Sequence, residues 1–261
     1  MTLATKVIGQ GQEVVLIHGW GSDSAIWQDW AEQTFVGCRL TFIDLPGHGS
    51  SPELPIISAS VADAWQDALL VVMPARAMVV GWSLGGLLAQ RLALSHPERV
   101  SALLLIASSP CFVQKQGWLP ALEQSLFARY LTEVMTQTLT LLKSFVALQT
   151  LGSQKPKHLL KQLLPLLTDL LTTHQHSLKQ GLQLLAQLDL RQEIAALAMP
   201  TLWLLGEQDA IVPVALAQAL PSLQPQARID LVADAGHLPF LSSPAQTSLL
   251  VNQFLQGMSR D

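Results

Sequence analysis

Residues 77–86, Ala77-Met-Val-Val-Gly-Trp-Ser-Leu-Gly-Gly86, decide the fold. An apolar run leads into Gly81-Trp82-Ser83-Leu84-Gly85, and a leucine-rich stretch follows at once. The run, Ala77–Val80, has the continuous apolar character of a strand covered on both faces. The stretch from Leu84 to Ser95 carries Leu87, Leu88, Leu92 and Leu94 and predicts a helix that stops near His96-Pro97. G-x-S-x-G between a strand and a helix describes a sharp turn that lifts a serine hydroxyl above a sheet edge. Such turns are strained. Side chains two residues before or after the serine would collide with neighbouring backbone, so Gly81 and Gly85 are the residues that fit. The new helix also points its amino-terminal dipole at negative charge developing beside the serine. Ser83 is the candidate nucleophile.

Outward from this turn, Val14–Ile17, Arg39–Ile43, Ala102–Ile106, Thr201–Leu205 and Ile229–Val232 read as further strands. Turns or helical stretches separate them, the pattern of an α/β domain with a mostly parallel central sheet flanked by helices. Residues 112–190 break the rhythm. There Leu122, Leu126, Tyr130 and Val134 are spaced four apart, and Leu160, Leu163, Leu164 and Leu167 form a second stripe interrupted at Pro165. The expected organisation is a core from 1–111 and 191–261, with 112–190 a helical lid insertion. The plainer alternative is that these helices only cover one face of the sheet.

Composition narrows the function. The chain has 261 residues, 49% hydrophobic and only 13% charged, against about 25% charged in typical domains. That excludes a disordered tail protein. A net charge of −4 argues against wholesale nucleic-acid binding. Cys38 and Cys111 make neither a disulfide framework nor a zinc site. The first residues lack an apolar core of signal-peptide length, and no run approaches the roughly 18 apolar residues of a membrane span. A cytoplasmic, monomeric enzyme is the expectation.

A serine hydroxyl attacks only when a base takes its proton. In elbows of this kind the acid and then the histidine follow the serine on loops after later strands. Asp209, in Leu204-Leu-Gly-Glu-Gln-Asp209, is favoured as the acid, with Glu207 its neighbouring competitor. His237, in Ala235-Gly-His-Leu-Pro239, is the base, with a glycine before it to relieve crowding. Of the other histidines, His48, His96, His158, His174 and His176 read as solvated or structural, and His18 as fixing its loop. An oxyanion needs backbone donors, each contributing on the order of 3–4 kcal/mol in the transition state. His18-Gly-Trp-Gly21 after the Val14 strand and the elbow itself nominate the N–H groups of Trp20 and Leu84. Asp44-Leu-Pro-Gly-His-Gly-Ser50 resembles a phosphate-binding glycine loop only superficially.

HGWG, DLPGHG, GWSLGG, the Gly206–Asp209 loop and AGH together resemble the α/β-hydrolase superfamily over essentially the entire chain. GWSLGGLLAQRLALSHPERVSALLLIASSPCF, FVALQTLGS and DLRQEIAALAMPTLWLLGEQDAIVP are more specific. They resemble the methyl ester esterases that act on pimeloyl-acyl carrier protein in biotin synthesis. The resemblance implies an α/β-hydrolase fold and removal of a methyl cap from a seven-carbon diacid carried on acyl carrier protein, without metal or organic cofactor. It implies substrate contacts at Trp20, Ser83, Leu84, Phe145, Val146, Ala147, Leu148, Gln149 and His237. Phe145 and Trp82 could equally be core aromatics. Between residues 140 and 180 five lysines face one acid, Asp169, a local charge of +4 within a chain of −4. Lys143, Lys155, Lys157 and Lys161 are thus candidates for docking the acidic carrier, although the family carries arginines there. A generalist carboxylesterase, a carbon–carbon bond hydrolase and a non-catalytic binding module on the same scaffold remain alternatives.

Overall fold

The structure, a computed structural model, describes residues 1–55, 60–164 and 175–258. Pro165, Leu167, Asp169 and His174 lie outside the described residues. In chain order the elements are β1 (Thr5–Gly9), β2 (Gln12–Ile17), α1 (Gln28–Thr34), β3 (Cys38–Ile43), α2 (Val61–Val72), β4 (Ala77–Trp82), α3 (Leu84–Ser95) and β5 (Val100–Ile106). Among the described residues four α-helices follow before the next strand: α4 (Gln124–Glu133), α5 (Thr138–Thr150), α6 (Pro156–Leu163) and α7 (Gln175–Gln187). The chain then returns to β6 (Thr201–Gly206), α8 (Leu216–Leu223), β7 (Arg228–Val232), α9 (Pro239–Ser242) and α10 (Pro244–Met258).

Among the described residues seven strands form one sheet in the order β1-β3-β2-β4-β5-β6-β7, parallel throughout except for β1. All of β4 and β6 is buried, as continuous apolar strands require. The six strands expected from the sequence are present, each one or two residues longer, and the helix from Leu84 to Ser95 has the expected ends. Strand β1 was not expected. It is an antiparallel edge strand, mostly exposed, and lacks the apolar run that marks its neighbours.

The sheet order places the chemistry. From β2 the chain steps to β3 on one side, then crosses to β4 on the other. Loops leaving the carboxyl ends of β2 and β4 therefore diverge, and such a switch point is where α/β sheets bind ligands. Trp20 follows β2 and Ser83 follows β4.

The stretch from 112 to 123 differs from the helical expectation. It is irregular, with isolated bridges pairing Val113 with Leu122 and Lys115 with Trp118, so Leu122 precedes α4 rather than joining its stripe. Gly117 at φ +73° and Pro120 explain the break. In α4 the buried residues are Phe127 and Tyr130, while Leu126 is half-buried; in α6 they are Leu159 and Leu163, with Leu160 half-buried. Helix α7 packs on α2 and α3. Among the described residues no helix is long and apolar enough to cross a membrane.

Candidate active site

Ser83 sits at the turn from β4 to α3 with φ 54° and ψ −116°, a left-handed conformation that costs a non-glycine residue about 1–3 kcal/mol. Three contacts fix that backbone. Its N–H donates to the Ile106 carbonyl at 3.0 Å, and its carbonyl accepts from Leu87 N–H at 3.1 Å and from Ser108 Oγ at 2.8 Å. The flanking glycines are required by space. A Cβ on Gly81 would lie 2.5 Å from the Gly85 oxygen, and one on Gly85 would lie 2.2 Å from the Ile17 oxygen.

The three side chains singled out along the sequence meet here. His237 Nε2 is 2.9 Å from Ser83 Oγ, and His237 Nδ1 is 2.8 Å from Asp209 Oδ2. Asp209 Oδ1 accepts from the N–H groups of Ile211 and Val212 at 2.7 and 3.0 Å, which fixes the carboxylate plane. The imidazole is fully buried. Glu207, the competing acid, is exposed. Trp82 is a core aromatic: its indole N–H donates to the His237 carbonyl at 2.8 Å, so the residue before Ser83 braces the histidine loop.

Trp20 lies in the loop after β2, and Leu84 follows Ser83 and opens α3, where helix geometry leaves the N–H without an intrahelical partner. The Trp20 indole donates to the Leu178 carbonyl in α7 at 2.7 Å and meets Phe145 of α5 edge-on at 4.9 Å. Gly181 in α7 makes room for it, since a Cβ there would lie 2.7 Å from the indole. Phe145, Val146 and Gln149 are buried, while Ala147 and Leu148 are half-buried. Lys143, Lys155, Lys157 and Lys161 are all exposed.

The loop histidines are structural. His18 Nε2 accepts from Leu45 N–H at 2.9 Å, and its Nδ1 lies 2.8 Å from the Gly19 carbonyl. His48 is buried rather than solvated, with Nε2 3.3 Å from Gly21 N–H. Asp44 staples the DLPGHG loop by accepting from Ser24 and Ser50 N–H at 2.8 and 2.9 Å, which accounts for that motif without a phosphate. His96 is half-buried, and His158 and His176 are exposed. Among the described residues no cluster of three or more His, Cys, Asp or Glu side chains is placed to hold a metal.

Ser108 and Gln90 were not singled out as site residues. Gln90 Nε2 donates to the Gly86 and Ser109 carbonyls at 3.1 and 3.3 Å, and together with Ser108 it forms a polar floor under the elbow. Its signal in the sequence is a glutamine on an otherwise apolar helix face.

A profile of the Alpha/beta hydrolase family matches residues 14–248, which span every strand of this site. The chain belongs to the alpha/beta hydrolase family. This hydrolase is 34% identical to the pimeloyl-[acyl-carrier protein] methyl ester esterase of Aeromonas hydrophila subsp. hydrophila, over 98% of this chain and 100% of that one. It is 38% identical to the protein of the same name from Vibrio vulnificus, over 90% and 91% of the two chains. Its fold is shared with an esterase from Exiguobacterium antarcticum, at a TM-score of 0.86 and 22% identity over 97% of this chain and 95% of that one.

Proposed function

We propose that this carboxylic ester hydrolase removes the methyl group from pimeloyl-acyl carrier protein methyl ester in biotin synthesis, with Ser83, His237 and Asp209 as its triad. The hydrogen-bonded chain from Ser83 Oγ through His237 to Asp209 carries the reading, because it is the arrangement that activates a serine. His237 Nε2 takes the Ser83 proton as Oγ attacks the ester carbonyl. Asp209 holds the proton on Nδ1 and stabilises the imidazolium. The N–H groups of Trp20 and Leu84 receive the oxyanion. Methanol leaves with the proton from His237; water then attacks the acyl-enzyme by the same route and frees the carboxylate.

The substrate assignment rests on the named relatives and on an apolar wall available for a diacid chain. In this reading that wall is formed by Trp20 and Phe145, which pack edge-on, with the buried Val146 and Gln149 of the helix that carries Phe145. Residues 112–190 serve in this reading as a lid over the site, and the exposed lysines Lys143, Lys155, Lys157 and Lys161 as the docking face for acyl carrier protein.

Two measurements test the proposal. A fluorophosphonate should label the protein at Ser83, and Ser83→Ala should lose labelling and several orders of magnitude in turnover; near-normal turnover would refute the triad. Carrier-bound pimeloyl methyl ester should be hydrolysed with a higher kcat/KM than short aryl esters. The reverse order would leave a generalist esterase.

A further inference from the structure

Three backbone segments meet beside His237, with glycine at each contact. Gly206, at the end of β6, faces the histidine loop, and a Cβ there would lie 2.2 Å from the Gly236 oxygen. Gly236 faces the end of α5, and its Cβ would lie 2.1 Å from the Leu151 oxygen. Gly152, at φ +77°, faces the acid loop, and its Cβ would lie 2.1 Å from the Gln208 oxygen. Real Cβ atoms essentially never come within 3.0 Å of such neighbours, so none of these positions accepts a side chain unless backbone moves. The contacts close a triangle whose corners are the acid loop, the histidine loop and the turn after α5. Gln208 N–H donates to the Ala235 carbonyl at 2.9 Å along one side. Leu151 N–H donates to the Leu148 carbonyl at 3.2 Å, and Ser153 N–H to the Thr150 carbonyl at 3.3 Å, tying the turn to its helix.

Asp209 follows Gln208 directly, and His237 follows Gly236 directly. We infer that the Leu151–Gly152 turn positions the Asp209–His237 pair, with Gly152 the positioning residue that lets α5 seat against the acid loop. Gly152 acts on the reaction through the two loops and touches no reacting atom. The same helix carries Phe145, which packs on Trp20, so one rigid piece joins the apolar wall to the acid–base pair. The consequence is mechanical. The end of α5 cannot lift away from the core without loosening the bond between Asp209 and His237.

This inference rests on the roles proposed for Asp209 and His237, and the experiment separates the two. Gly152→Ala is compared with Gly37→Ala. Gly37 has φ +78° but nothing within 4 Å, so its replacement carries the left-handed strain without the contact. Expected for Gly37→Ala is a lower melting temperature with unchanged kinetics. Expected for Gly152→Ala is a fall in kcat on a short aryl ester on the order of ten- to a hundredfold, with KM within about twofold. If Gly152→Ala only melts earlier, with kcat intact, the inference is overturned.

Should Gly152→Ala fail to fold, hydrogen exchange on the unsubstituted protein decides. The amides of Ser153 and Gln208 should open together, with the same denaturant dependence. Exchange at Ser153 faster than at Gln208 by roughly tenfold or more would show that the turn opens independently and would overturn the inference. Full activity in Ser83→Ala would sink the triad itself. An inert Gly152→Ala in an enzyme that Ser83→Ala silences would sink only the positioning role.

Discussion

Asp209 shows how two backbone donors decide what a single substitution does. Its Oδ1 is held by the Ile211 and Val212 N–H groups, leaving Oδ2 to accept from His237. In Asp209→Asn the amide oxygen takes the first position, so the NH₂ group faces Nδ1. The imidazole must then carry its proton on Nε2 and can no longer receive one from Ser83. Turnover should fall about 10³–10⁴-fold with the fold intact, which single-turnover kinetics and near-ultraviolet circular dichroism would check. His18 makes a different prediction. Its ring, fully buried, is pushed below its ordinary 6.5 chiefly by burial, while the Gly19 carbonyl, Asp44 and Asp23 pull the other way. One nitrogen accepts and the other donates, which only the neutral ring can do. The unfolded chain takes up a proton on His18 as pH falls through 6.5, and the folded chain takes it up only at a lower pH. This contribution is complete above that pH and is lost below it, by about 1.4 kcal/mol per pH unit at most. Between pH of about 7.5 and about 5.5, urea unfolding should show the parent losing more stability than His18→Gln. Equal losses would mean that the folded ring protonates as freely as the unfolded one. Ser83, Gly81 and Gly85 were legible in the sequence because all three fall within one five-residue G-x-S-x-G turn, although the contact that demands Gly85 is with distant Ile17. Ser108 and Gly152 were not, since each is defined by a contact with a distant segment.

Elements divide in the same way. The β4–α3 unit was readable because its strand is apolar on both faces and its helix ends at His96-Pro97. Strand β1 exists through its pairing with β3, and nothing in Thr5–Gly9 alone announces it. The helices between β5 and β6 present a related case, because the stretch leading into them is held by side chains rather than by periodicity. Lys115 Nζ is 3.0 Å from Asp189 Oδ2, and Arg191 grips Asp189 with two bonds of 2.7 Å. The Arg191 guanidinium also lies 5.2 Å from the centre of the Trp118 ring. The segment before α4 is thus pinned to the segment after α7. Arg191, followed by Lys115, holds the Asp189 carboxyl well below the usual carboxylate range, despite a partial desolvation that opposes it. Such a group stabilises the fold above its ordinary 3.8, and the contribution fades only as pH drops well beneath that value. Asp189→Asn should therefore cost a roughly constant amount, about 1 kcal/mol, across pH of about 5 to about 8. Chemical denaturation at both ends of that range would test it, and limited proteolysis should cut faster near Gly117. A gap that closes towards pH of about 5 would contradict an ionised Asp189 there.

At the scale of the molecule, the distribution of charge separates the proposed carrier substrate from any small ester. The excess of lysine between residues 140 and 180 was legible in the sequence. Which side chains reach solvent was not, because that depends on the apolar face each helix turns inward. In α6 Leu159 and Leu163 are buried, so Lys157 and Lys161 are left outside, four residues apart on one face. Lys143 on α5 and Lys155 before α6 are also exposed, whereas Lys179 is half-buried against the body. Exposed lysines contribute little fixed affinity to a partner, being hydrated point charges without the fork of arginine. Their effect lies in the encounter, where like-signed clusters raise the rate at which an oppositely charged partner arrives. That effect is screened over about 10 Å at 0.1 M salt. Raising salt from about 50 to about 500 mM should therefore lower kcat/KM for a carrier-bound ester by roughly tenfold, with kcat little changed. For a neutral short aryl ester the same change should stay within about twofold, because its arrival is not steered. The doubly substituted Lys157→Glu, Lys161→Glu protein should reproduce the loss at low salt for the carrier-bound ester alone. If both esters respond equally to salt and to the two substitutions, these lysines only solvate α6, and the carrier must dock elsewhere.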